Sequence, residues 1–283
     1  MSTVFVNGIG LFGPGLPDWP QGREVLAGRA PYQPVVAPPP PAELLPATER
    51  RRATPSTRVA LAVAQQALRA AAAAGATIDP HALPTVFATS SGNPDILHDL
   101  CEMLAAGDTQ ISPTKFHNSV HNAAAGYFSI GLASQSASTS ICAYDVTAAA
   151  GLLEAVAQVG AAGGPLLLVS YDIPYPYPLS ERRPLNDAWG AALLLGDAPL
   201  TAASMRIAVR VSNSGDPGEV AESVLADAAL EDARRHNPTA RLLPLLRALA
   251  LGAPAQVHLP FSSGTLAVAI DAAQASQPVA RAA

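Results

Sequence analysis

Apolar residues between residues 57 and 74 recur with a helical period. Val59, Leu61, Ala62, Val63, Ala67 and Leu68 fall on one side and Arg58, Gln65, Gln66 and Arg69 on the other, which predicts an amphipathic helix covering one sheet face. Shorter apolar runs flank it. Residues 3–7 read as a buried strand closed by a Gly8-Ile9-Gly10 turn, and residues 83–90 as another, which Ser91-Gly92-Asn93-Pro94 turns into a helix over 95–105. Between them Pro34, Pro38, Pro39, Pro40, Pro41 and Pro46 exclude helix and inner strand, and predict an extended surface loop. Strand and helix alternate, as an α/β layer requires.

The stretch from residue 122 to 155 reads as helix, turn, strand, tight turn, helix. Ala123 to Gly126 are small enough for close backbone approach, and Tyr127, Phe128 and Ile130 supply apolar faces. Residues 139–144 hold the β-favouring Thr139, Ile141 and Tyr144, and Asp145 stands where an N-cap would open a long Ala/Leu/Val helix. A strand turning sharply into a helix presents one side chain and the helix's free N–H groups at the top of a sheet. Beyond it, residues 165–170 and 189–195 read as inner strands separated by a Tyr/Pro loop, with Asp187 and Trp189 in structural roles. Residues 206–211 read as a strand, 219–235 and 242–251 as helices, and 257–270 as a closing strand segment.

Composition narrows the class. With 283 residues, 49% hydrophobic and 14% charged, and a mean hydropathy of +0.22, the chain can bury a large core as one domain or two fused halves. A net charge of −5, with Arg50-Arg51-Arg52 the longest basic run, argues against nucleic acid as partner. Cys101 and Cys142 are too few for a disulfide framework, and read as small core residues in a reducing cytoplasm. The start lacks the basic head and apolar core of a signal peptide. The most apolar window, 148–169, is broken by Glu154, Gln158 and Gly163-Gly164-Pro165, so no membrane span is expected. Gly8-Ile9-Gly10 lacks the third glycine of a dinucleotide loop. His117 and His121 have a metal-compatible spacing without carboxylate or thiolate partners, and the alternative is polar groups pairing around a helix start. No cofactor or metal is expected.

Asn122-x-x-x-Gly126-x-x-Ser129-Ile130, then Ser140-Ile141-x-x-x-Asp145 and a helix ending Leu152-Leu153-Glu154-Ala155, resemble the heart of β-ketoacyl synthases of the thiolase superfamily. Val4 to Gly10 with Trp19 and Leu26-Ala27-Gly28 resemble that family's opening, and Arg183-Pro184-Leu185-Asn186-Asp187 its Arg-Pro-Phe-Asp loop. The resemblance implies a thiolase-like layered α-β-α-β-α fold with an abbreviated second half: residues 1–200 as the ketosynthase N-terminal-like half, and 201–283 completing the core. It covers roughly residues 3–196 well.

In that family the core helix opens with the catalytic cysteine, and Asp145 occupies the nucleophile position here. The family's two catalytic histidine motifs are also missing. Condensation needs a thiolate to carry the acyl chain and donors for the enolate and oxyanion. An acyl-aspartyl anhydride would be far more reactive than a thioester, and the carboxylate would repel malonyl. Cys142, placed within the strand, points away from the helix mouth. The resemblance is therefore to chain-length-factor subunits, as in bacterial aryl-polyene and xanthomonadin pigment clusters. It implies a cytoplasmic heterodimer with a catalytic β-ketoacyl synthase, acting on acyl carrier protein substrates. Lys115, Phe116 and Ser119 would face the partner and close its acyl tunnel, and Thr139, Ser140, Ile141 and Cys142 would form the dimer strand. Asp145 would cap its helix and hold this half site closed. Two rival readings stand: a stand-alone acyl-thioester enzyme using Asp145 near Ser119 and His121, or a homodimeric carrier-binding scaffold.

Overall fold

The computed structural model describes residues 2–213, 220–262 and 264–272; Glu219 and Ser263, which fall in predicted elements, lie outside them. In chain order the elements begin with strand β1 (Ser2–Phe12), helices α1 (Trp19–Leu26), α2 (Ala47–Arg50) and α3 (Pro55–Ala73), and strand β2 (Thr85–Ala88). Helices α4 (Pro94–Ala105), α5 (Pro113–Ser119) and α6 (Ala123–Leu132) lead to strand β3 (Ser138–Ile141) and helix α7 (Thr147–Ala162). Then come β4 (Leu166–Asp172), α8 (Leu179–Arg182), β5 (Trp189–Gly196), β6 (Met205–Asn213), α9 (Ala228–His236), α10 (Leu243–Leu251), β7 (Ala255–Phe261) and β8 (Gly264–Ala272).

The strands form one sheet in the order β3-β2-β4-β5-β1-β6-β8-β7. β2, β3 and β4 run parallel, and the other pairs are antiparallel. Its two faces bury separate cores. On one side α3 and α6 pack Val59, Val63 and Phe128 over Phe87, Tyr171 and Leu194. On the other α7 and α10 bury Leu152, Val156, Leu245 and Leu246 against Val86, Leu168, Ile207 and Val268. Because α7 touches β2 and β4 as well as β7, the sheet curls around it. The layers thus run α, β, α, β, and the abbreviation falls on the far side of β6, β8 and β7. There Arg206, Ala208 and Arg210 line up with Asp271, Ala269 and Ala267, and no described helix packs broadly against that face. Among the described residues no helix is long and apolar enough to cross a membrane.

α3 fulfils the periodicity prediction, opening at Thr54, whose hydroxyl accepts from Thr57 N, with Pro55 in the first turn. The first strand does not end at Gly8. It continues through Gly10 to Phe12 with a bulge between Val6 and Gly8, because α3 crosses it closely. A Cβ on Gly8 or Gly10 would lie 2.3 or 2.0 Å from the Ala67 or Val63 carbonyl oxygen. Those glycines serve close approach, not a turn.

Two later predictions need correction. The helix expected over 219–235 begins at Ala228, where Asp227 accepts from Ala229 N and Leu230 N. The residues before it run along the edge of β7, Ser223 N donating to His258 O and His258 N to Ser223 Oγ. The final segment is a hairpin of two strands, β7 and β8.

Candidate functional site

Among the described residues β3 is an edge strand, paired only with β2. It ends at Ile141, and the chain then turns through Cys142 and Ala143 into a 3-10 turn, Tyr144–Val146, before α7. Tyr144 is the apex, with φ +53°, a backbone region unfavourable for a side-chain-bearing residue. Thr147 braces the turn: its hydroxyl accepts from Ala143 N at 2.9 Å and donates to Tyr144 O at 2.6 Å.

Asp145 is not the N-cap expected of it. α7 begins at Thr147, and its cap position, Val146, makes no side-chain hydrogen bond. Thr147 has taken over the bracing of the turn, and Asp145 is drawn to two arginines instead. Arg183 Nη2 lies 2.8 Å from Asp145 Oδ1, and Arg241 Nη2 3.5 Å from Oδ2. The Arg183 guanidinium also lies over the Tyr144 ring at 3.7 Å, with the Tyr175 ring 5.7 Å away. The cysteines are not the small core residues expected of them. Both are exposed, and Cys142, lying beyond the last residue of β3, directs its Sγ to Ser90 O at 3.4 Å.

A buried carboxylate that sequence reasoning did not single out organises the surroundings. Asp172 ends β4 and accepts from Ser90 N (2.8 Å), Ser90 Oγ (2.7 Å) and Thr89 Oγ1 (3.3 Å) on Oδ1, and from Thr239 Oγ1 (2.9 Å) on Oδ2. Burial pushes its carboxyl above the usual range, an effect partly offset by these hydrogen bonds. Asp172 thereby fixes the end of β2 to the turn Ala240–Leu242 that carries Arg241. Its only advance sign was the polar Ser170 and Asp172 ending an otherwise apolar run.

α5 lies on the other side of the β2 terminus. His121 Nε2 donates to Thr89 O at 3.0 Å, and Asn93 Nδ2 to Asn118 O at 3.1 Å. His117 packs edge-on against Tyr127, so the two histidines have separate structural partners. Lys115 pairs with Asp99 at 2.8 Å, and Ser119 Oγ donates to Phe116 O at 2.8 Å. Phe116 is 62% exposed. Other clefts lie along α1, one of them lined by Tyr32, Leu225 and Arg247.

Residues 25–251 match the family model described as β-ketoacyl synthase, N-terminal domain. No curated protein matches the chain. Among solved structures, a ketosynthase (ApeO) in complex with its chain length factor (ApeC) from Xenorhabdus doucetiae aligns with TM-score 0.68 at 17% identity, over 95% of this chain and 100% of the matched one. The ishigamide ketosynthase/chain length factor gives TM-score 0.69 at 16% identity, over 95% and 99%. A β-ketoacyl synthase from Burkholderia phymatum aligns with TM-score 0.55 at 13% identity, over 84% of this chain and 70% of its own. The shared feature is the thiolase-like ketosynthase fold.

Proposed function

The chain belongs to the β-ketoacyl synthase N-terminal domain family, and from that premise we propose that it is a non-catalytic, chain-length-factor-like partner of an active β-ketoacyl-acyl carrier protein synthase. The observation that carries this reading is the elbow. Where a ketosynthase would need a thiolate, an aspartate lies beside two arginines under a tyrosine. A carboxylate is a poor nucleophile for acyl transfer compared with a thiolate. The exposed Cys142 lies before the turn, with its Sγ directed at Ser90 O.

The coverage of the solved structures is consistent with the same reading. The matched chains of the ketosynthase/chain length factor complexes are covered almost completely, whereas the Burkholderia synthase extends well beyond the match. In this proposal residues 1–200 form the ketosynthase-like half, and 201–283 a shortened half that closes the core. Thr139, Ser140 and Ile141 pair across a two-fold with a cysteine-bearing ketosynthase. Lys115 and Ser119 hold the surface that presents Phe116 toward its acyl tunnel. The assembly works in the cytoplasm on carrier-protein thioesters, in fatty-acid or polyketide-type synthesis such as that of aryl polyenes.

Co-expression with a cysteine-bearing β-ketoacyl synthase from the same source tests the proposal through complex mass and product length. A one-to-one heterodimer whose products lengthen in Phe116→Ala is expected. A chain that runs alone, beside a ketosynthase making unchanged products without it, would refute the partner role.

A further inference from the structure

Two guanidinium groups and one carboxylate meet at the elbow, so the cluster carries one more positive charge than it balances. A directional deficit accompanies the surplus. Arg183 Nη2 approaches Asp145 closely, yet among the described residues neither it nor Arg183 Nε has a hydrogen-bond acceptor, and the same holds for Arg241 Nε; all three atoms are buried. A guanidinium offers five N–H donors in a planar fork. An anion that meets the fork off its axis gains from the charge and leaves the donors idle.

The two sides of the cluster differ in freedom. The Arg183 side chain is 11% exposed and stacked on Tyr144. The backbone behind Arg241 is fixed through Thr239, which Asp172 holds. The Asp145 side chain is 42% exposed, caps no helix, and can turn to solvent by one rotamer change. A fixed cationic cradle therefore holds a removable internal anion.

We infer that the elbow is an exchangeable oxyanion site. The carboxylate or phosphate of a small ligand displaces Asp145 from between Arg183 and Arg241 and engages the idle N–H donors, with Tyr144 and Tyr175 as flanking rings. No covalent bond is made or broken. The site is independent of the chain-length role, because it lies wholly within this chain.

The test is titration of the full-length chain with inorganic phosphate and, separately, with acetate, at an ionic strength held constant with chloride. Melting temperature and calorimetric heat are the readouts, and the two arms distinguish a phosphate-selective site from a carboxylate-selective one. Saturable binding beyond the chloride control is expected, lost in Arg241→Gln and weakened in Arg183→Lys. In Asp145→Asn, which removes the internal competitor, binding tightens about tenfold. The inference is overturned if neither anion saturates, or if saturation survives both arginine substitutions. Binding seen only in Asp145→Asn overturns it as well, since the native carboxylate would then not be displaceable.

Discussion

Asp172 has no cationic partner among the described residues and is satisfied by three hydroxyls and one backbone N–H. Removing its carboxyl leaves those donors facing a void. Asp172→Ala is expected to cost about 3 kcal/mol in urea unfolding, with Asp172→Asn costing less because an amide oxygen still accepts. Glu231 behaves differently with pH. Hydrogen bonds from Arg234, then Leu225 N and Arg235, lower its carboxyl from 4.5 to about 2 despite partial burial. A folded-state value below the unfolded one means that this stabilisation is complete above about pH 4.5 and is lost as pH falls toward 2. Glu231→Gln should lack that acid limb, on the order of 2 kcal/mol, in pH-dependent unfolding. The Asp145, Arg183 and Arg241 constellation could not be read from local pattern. Its members sit on three separate turns, and only the curled sheet brings them together.

Among elements, those read well from sequence are those whose pattern and environment agree. α3, α10 and β5 carry long apolar periodicities, and they form within a residue or two of where periodicity places them. Misreadings arose where a neighbour overrode local preference. Gly8 and Gly10 look like a turn in isolation, but in the structure they admit α3. Gly10→Ala should therefore push the helix from β1 and destabilise the protein by about 2–3 kcal/mol, measured by thermal unfolding. The run before Ala228 contains helix formers, but the open edge of β7 captures it. Asp227 fixes where the helix starts, and Asp227→Ala should cost about 1 kcal/mol.

For the whole molecule, β3 is an edge strand, and in the proposed heterodimer it is the edge that a partner sheet would join. Ala137 O and Ile141 O accept from Thr85 N and Thr89 N, so by strand alternation Ser140 turns its N–H and C=O to the free side. Ser140→Pro should abolish ketosynthase co-purification and leave the melting temperature of the isolated chain within a few degrees, checked by size exclusion and calorimetry. The layered fold was legible from alternating elements and from the resemblance. The shared sheet was not, because it depends on β1 pairing with β6 over its first half and β5 over its second. That double pairing sets an order in time. β1 is flanked by partners that lie within residues 190–209, so during synthesis its backbone stays unpaired until those residues have been made. Such late closure predicts slow folding and a dependence on holding chaperones during synthesis.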